Sequence, residues 1–261
     1  MYDFDTVVDR RNTGSLKWDV AENELPMWVA DMDFKTAPQI IDAISERVSH
    51  GVFGYSIIPD EWNDAYISWW DRRHGLKIER DSLIFCTGVV PAISSTVRKL
   101  TTPGENVLIM TPVYNIFFNS IFNNGVNVQE SPLGYENGRY FVDYDRLEHD
   151  LSNPQTSLMI FCTPHNPCGI IWTKDELAKI GALCRKYNVT VISDEIHCDI
   201  TAPGKSYVPF AAASKDCADI SITCIAPTKC FNMAGLQTAA VMVPNKFLRH
   251  KVWRALNTDE V

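Results

Sequence analysis

Three short runs limit what this chain can fold into: LMIFC (158–162), VTVIS (189–193) and ISITC (220–224). Each is apolar almost throughout, without the alternation of a strand that has one wet face, so each predicts a strand covered on both faces. Helical patterns separate such runs. Thr173-Lys174-Asp175-Glu176 has the form of a capping box, in which Thr173 accepts from a first-turn amide and Glu176 bonds back. Leu177, Ile180, Leu183 and Cys184 then supply an apolar face, and Asn188 suits the position after the helix. Strands alternating with helices imply right-handed crossovers and an α/β fold: a mostly parallel sheet with helices on both faces.

The alternation begins at Leu83. Leu83–Cys86 reads as a strand, Thr87–Val90 as a turn and Pro91–Leu100 as a helix. Val107–Met110 is the next strand, followed by TPVYN and a helix over Ile116–Asn123; Val126–Gln129 reads as a further short strand. A polar, tyrosine-rich stretch, Gly134–Tyr144, leads to a helix over Tyr144–Leu151 with Asp143 as its N-cap. Thr238–Val243 completes the strands. Before Leu83 the pattern differs. Residues 1–35 carry no clean period and read as an extended arm, after which helices are expected from Pro38 to His50 and from about Glu61 to His74. The glycines of GVFGYS (51–56), between those helices, predict a loop that presents Tyr55.

Composition excludes several function classes. The net charge is −8 and no run of Lys and Arg interrupts the mixture, which argues against nucleic acid and anionic membrane as partners. No apolar run approaches the ~20 residues that cross a bilayer, and the opening MYDFDTVVDRRN has no apolar signal core, so a cytoplasmic location is expected. The eight cysteines fall largely in apolar strand-like runs and show no C-x-x-C spacing; they read as reduced packing residues, and no metal is expected.

In a parallel sheet, ligands bind beyond the carboxyl ends of the strands. Gly88, Tyr114, Asn166, Asp194 and Lys229 each follow a predicted strand. Singly, each has an ordinary reading: Asp194 as a cap, Asn166 as a turn former before Pro167, Tyr114 as core, Lys229 as a surface amine. Together they supply what an aldehyde cofactor with a pyridine ring and a phosphate needs. The amine bonds the aldehyde, the carboxylate keeps the ring nitrogen protonated, and amides at the start of a helix take the phosphate. Tyr114 can stack on the ring and Asn166 can donate to its phenolic oxygen.

IAPTKCFNMAGLQ (225–237) resembles the lysine motif of fold-type I pyridoxal-phosphate enzymes, TPHNPCG (163–169) their asparagine motif and VISDEIH (191–197) their aspartate motif. KWD (17–19), LPMWVADMDF (25–34), HGVFGYS (50–56) and DEIHCD (194–199) bring the resemblance nearest to the cystathionine β-lyase, or C–S lyase, branch of the aminotransferase family. By resemblance, Lys229 is the Schiff-base lysine and the base that moves the α-proton. Asp194 pairs with the pyridine nitrogen of pyridoxal 5′-phosphate, Asn166 contacts its phenolic oxygen, and His197 stands near that oxygen where many relatives have tyrosine. Gly88, Val89 and Thr228 hold the phosphate. Tyr55 matches a residue that reaches the phosphate of the neighbouring subunit, which implies a homodimer with shared active sites.

The resemblance also implies a division into residues 1–45, an arm and part of a small domain, and 46–261, a large cofactor-binding domain. Relatives continue beyond ALNTDEV into a C-terminal small domain that supplies an arginine for the substrate carboxylate. Many aminotransferases place an arginine eight residues after the lysine, where this chain has Gln237. The expected reaction is β-elimination at S-substituted cysteines, giving a thiol, pyruvate and ammonia. Aminotransfer, and a non-catalytic cofactor-binding or regulatory fragment, stand as alternatives.

Overall fold

The computed structural model describes residues 2–261. It divides into two compact units. The first runs to Ile57 and takes in Pro227–Gln237; the second comprises Ile58–Ala226 and Thr238–Val261.

In the first unit, residues 2–37 form turns but no helix or strand. Ion pairs and hydrogen bonds organise them. Arg10 pairs with Asp31 and, at 2.8 Å, with Asp33, while Lys17 Nζ donates to Asp33 at 2.8 Å and to the Asp31 carbonyl at 3.0 Å. Trp18 Nε1 donates to Asp33 Oδ1 at 2.7 Å, so KWD and ADMDF, read separately in the sequence, meet at one carboxylate. Burial pushes the pKa of Asp33 up, but donors from Lys17, Trp18 and Arg10 outweigh it and bring the value down to about 2. Helix α1 (Pro38–His50) starts on its proline, ends at Gly51 in the left-handed conformation (φ 75°) and buries none of its residues.

The second unit holds α2 (Asp60–His74), β1 (Leu83–Cys86), α3 (Val89–Leu100), β2 (Asn106–Ile109), α4 (Ile116–Phe122) and β3 (Asn127–Glu130). The hairpin β4 (Gly134–Glu136) and β5 (Arg139–Phe141), α5 (Tyr144–Leu151), β6 (Thr156–Cys162), α6 (Lys174–Lys186) and β7 (Thr190–Asp194) follow. The chain closes with α7 (Phe210–Ala213), α8 (Lys215–Ile220), β8 (Ser221–Ile225), β9 (Ala239–Met242) and α9 (Lys246–Asp259). Seven strands form one sheet in the order β1-β9-β8-β7-β6-β2-β3. β8, β7, β6, β2 and β3 are mutually parallel, whereas β9 is antiparallel to both β8 and β1. Two reversals restore direction, so β1 also ends at the edge where β8, β7, β6 and β2 end.

Both faces are covered, as the apolar runs predict. Along β6, Leu158, Ile160 and Cys162 join a core with Val107, Ile192 and Ile222, while Met159 and Phe161 point the other way, into a core with Leu108, Val191 and Trp172. Alternate residues of one strand thus feed two cores. The capping box is present, with Glu176 N donating to Thr173 Oγ1 at 3.3 Å and Thr173 N donating to Glu176 Oε2 at 2.8 Å. Asn188 follows α6 in the left-handed region (φ 57°), and Asp143 caps α5 by accepting from Arg146 N.

Two sequence expectations are corrected, and three helices are added to them. α3 begins at Val89 rather than Pro91, because Gly88 in extended backbone (φ −178°) serves as its N-cap and Pro91 then falls inside the first turn, where its missing N–H costs nothing. Gly134–Tyr144 contains a β-hairpin turned by Asn137-Gly138, both with positive φ (51° and 77°), the pair a tight two-residue turn selects. α7, α8 and α9 were not anticipated.

Candidate active site

Gly88, Val89, Tyr114, Asn166 and Asp194 gather along the edge of the sheet at which β1, β2, β6 and β7 end. β1 ends at Cys86, and the Gly88 amide donates to the Cys86 thiol. No side chain among the described residues caps α3, which leaves the amides of its first turn for another acceptor. A side chain at Gly88 would come within 3.2 Å of the Pro91 ring, so glycine keeps this approach narrow and open.

Beyond β2, Tyr114 is half-buried and meets Phe117 edge-on, with ring centroids 5.7 Å apart. Burial first, then the negative charge of Asp194, raises the pKa of its phenol, which places the hydroxyl within the electrostatic field of that carboxylate. Beyond β6, the TPHNPCG turn carries Asn166, whose backbone N–H donates to the Cys162 thiol at 3.4 Å. His165, to which the sequence gave no role, fixes this turn. It is 2% exposed, its backbone pairs with Ile170, and its Nε2 lies 2.9 Å from the Pro112 carbonyl in the Tyr114 loop. A carbonyl can only accept, so Nε2 carries the hydrogen; burial lowers the pKa of the ring and keeps it neutral. No local sequence signal marks this link, since its partner lies 53 residues away.

Asp194 ends β7. It is 5% exposed, its carbonyl accepts from Thr163 N at 2.9 Å, and its Oδ1 accepts from Ile196 N at 3.2 Å. The next residue, Glu195, is fully buried: Oε1 accepts from Ser193 Oγ at 2.6 Å and from Phe210 N at 3.1 Å, while Oε2 has no hydrogen-bond partner among the described residues. Burial pushes its pKa up to about 8, helped by the charge of Asp194, so this edge carries one buried carboxylate beside one neutral carboxylic acid at pH 7. His197 is half-buried in the same turn, its carbonyl accepting from Ile200 N.

Thr228, Lys229 and Tyr55 belong to the first unit. Lys229 sits in a tight turn in which Pro227, Thr228 and Lys229 carbonyls accept from Phe231, Met233 and Asn232 amides at 3.0, 3.0 and 3.4 Å. Thr228 is buried and Lys229 partly so. Asn232, another residue not singled out from sequence, adopts φ 51° and clamps this turn to the arm. Its Oδ1 accepts from Met32 N at 2.9 Å, and its Nδ2 donates to the Met32 and Phe34 carbonyls at 2.9 and 2.7 Å. Thr36 Oγ1 adds a 2.6 Å bond to the Phe231 carbonyl. Tyr55 is fully exposed, as a loop position predicts, and Gln237 is exposed with φ 49°.

The sequence profile of the aminotransferase class I and II family matches residues 22–258. The chain belongs to that family. Within it, cystathionine beta-lyase PatB of Bacillus subtilis is 43% identical over 262 residues, a match covering 98% of this chain and 68% of PatB. The structure of cystalysin from Treponema denticola, which contains a pyridoxal 5′-phosphate cofactor, superposes with a TM-score of 0.94 at 36% identity, over 99% of this chain and 68% of that one. The PLP-bound C–S lyase of Staphylococcus hominis gives 0.91 at 35% identity, over 100% and 67%. The family's large-domain fold is therefore that of this chain.

Proposed function

We propose that the chain is a pyridoxal-phosphate-dependent carbon–sulfur lyase that eliminates a thiol from S-substituted cysteines, leaving pyruvate and ammonia. One observation carries the reading: a buried carboxylate, Asp194, shares a sheet edge with the uncapped N-terminus of α3. Buried carboxylates favour a cationic partner and orphan amides favour an anion; a protonated pyridine bearing a phosphate offers both. Kinship with PatB and the C–S lyase fold supports elimination over aminotransfer.

When bound, the cofactor supplies an electron sink for the pair left at the substrate α-carbon. The chain's own residues do the rest. Lys229 Nζ would hold the cofactor aldehyde until the substrate's amino group takes its place there, and the released amine would then take the α-proton and carry it as an ammonium. Asp194 keeps the ring nitrogen protonated, and burial strengthens that pairing by excluding water. Asn166 donates to the phenolic oxygen, with His197 beside it, and Tyr114 covers the ring. Gly88 and Val89, at the start of α3, and the Thr228 hydroxyl hold the phosphate. A thiolate leaves the β-carbon readily, so the substrate is a small amino acid with sulfur at that position.

We also read the working form as a homodimer in which Tyr55 reaches the partner's phosphate. Its support is the apolar loop that holds Tyr55, where Val52, Phe53 and Ile57 are 62%, 71% and 85% exposed. Eight cysteines without a disulfide fit a reducing, cytoplasmic setting.

Incubation with cystathionine tests the reaction. Release of pyruvate by the cofactor-loaded chain, absent in Lys229→Ala, is expected. Amino transfer to a keto acid without pyruvate would replace elimination with aminotransfer, and a folded, cofactor-loaded chain that does neither would overturn both.

A further inference from the structure

Next to the turn that carries His197, the last turn of α2 and the segment after β7 bring together three kinds of metal ligand. His74 Nε2, Cys198 Sγ and a carboxylate oxygen of Asp199 all lie within 4.8 Å of one another. His74 Nε2 is 3.2 Å from Asp199 Oδ1, and Cys198 Sγ is 3.8 Å from Asp199 Oδ2. Cys198 is buried, at 3% exposed, and the side chains of the partly buried His74 and Asp199 are 6% and 8% exposed. Three donor atoms of different chemistry gathered this closely inside the fold are the observation that points to a cation.

Ligand geometry fits a zinc-class ion. Bonds of about 2.0–2.3 Å in a tetrahedron set ligand atoms about 3.3–3.8 Å apart. His74 and Cys198 approach different oxygens of Asp199, at 3.2 and 3.8 Å, and with one ligand atom from each residue all separations lie within 4.8 Å, so shifts of about 1 Å bring the set onto one ion. Imidazole and thiolate donors select Zn²⁺ over Mg²⁺ or Ca²⁺, and a thiolate with a carboxylate neutralises a divalent charge. Trp69 Nε1 donates to Asp199 Oδ2 at 3.0 Å and Oδ1 at 3.2 Å, which orients the carboxylate in the manner of an outer-shell partner. Arg73 Nε lies 3.6 Å from Asp199 Oδ1, but its side chain is 54% exposed and can turn to solvent. The sequence test for C-x-x-C spacing could not find this set, because one ligand comes from a helix far upstream.

We propose that His74, Cys198 and Asp199 form a site for a Zn²⁺-class cation, with water in the fourth position, that ties the end of α2 to the segment following β7. Cys198 binds as thiolate and gives its proton to solvent. The full chain, kept reduced, is titrated with Co²⁺ alone as a spectroscopic stand-in, with no aldehyde or phosphate in the buffer because both bind metals. The expected result is a thiolate-to-cobalt charge-transfer band that saturates at a single equivalent, is displaced by Zn²⁺ and is accompanied by a higher melting temperature. In Cys198→Ser and in His74→Gln the affinity falls at least about tenfold. Absence of the band in the folded wild-type chain, or its retention at full affinity in either variant, overturns the proposal and assigns any bound metal to other thiols. Cys198→Ser is nearly isosteric and carries the test if His74→Gln does not fold.

Discussion

The two units are held together by different physics. In the second, seven strands feed apolar side chains into cores in which Phe161, Ile192 and Ile222 are 0–1% exposed. In the first, α1 buries nothing and Val7, Leu16, Met27 and Ile57 are 82–92% exposed, while one carboxylate, Asp33, gathers Arg10, Lys17 and Trp18. Burial of apolar area is worth about 25 cal/mol per Å² and is insensitive to pH, whereas exposed ion pairs contribute about 0–1 kcal/mol each and respond to salt and acid. One unit is thus a rigid frame and the other a polar assembly whose order depends on conditions. The lysine assigned to the chemistry belongs to the second kind.

The largest test of that contrast removes the chemistry without touching the frame. Lys229→Ala should lower pyruvate release by at least ~10²–10⁴-fold through loss of proton transfer alone, with the melting temperature of the cofactor-free chain unchanged. A matching fall in stability would mean that the lysine turn helps to hold the fold. Conversely, Phe161→Ala, between Trp172 and Phe210 at 5.7 and 5.6 Å, should cost about 3–5 kcal/mol in urea unfolding.

Asn232→Ala deletes three hydrogen bonds between the lysine turn and the arm. We expect a local loss of about 1–3 kcal/mol, seen as faster amide exchange at Met32, with the global urea midpoint nearly unmoved. Parallel loss of both would erase the distinction between the units.

Acid should separate them as well. Asp33 titrates near 2 when folded and near 4 when unfolded, so its contribution is present above about pH 4 and lost as pH falls through about 2. Trp18 fluorescence should report loosening of the arm in that window, and Asp33→Asn should remove the transition. Glu195 has the opposite sign. Its folded value near 8 lies above the unfolded one, so its contribution is full below about pH 4 and declines as pH rises through 8. Thermal midpoints of the wild-type chain should fall across that range more steeply than those of Glu195→Gln; equal slopes would show that Glu195 is ionised in the fold.

The frame was legible in the sequence because its signals are local. LMIFC and ISITC are buried strands within two residues of their expected limits, and the Thr173–Glu176 box and Asp143 cap depend only on near neighbours. The hairpin at Asn137-Gly138 was equally local and was missed because the flanking residues are polar and exposed. What lay beyond the sequence is long-range: β9 turning antiparallel, His165 reaching Pro112, and Asn232 bonding a strip of arm 200 residues upstream. No period or spacing encodes such pairs. The site motifs were readable for another reason: each follows a recognisable strand, and the parallel strands carry Tyr114, Asn166 and Asp194 to one edge.

The place of β1 in the sheet governs the order in which the protein can be made. Among the described residues its only sheet neighbour is β9, with Leu83 paired to Met242. On the ribosome, at about 5–20 residues per second, β1 and the helix start at Gly88 must wait for some 150 residues before their partner strand emerges. The strands from β2 to β7 can meanwhile pair in the nascent chain. The edge of the sheet that presents the α3 amides is therefore the last part of the frame to assemble, and a chain released before Met242 would keep Asp194 and Asn166 but leave β1 without a strand to pair with.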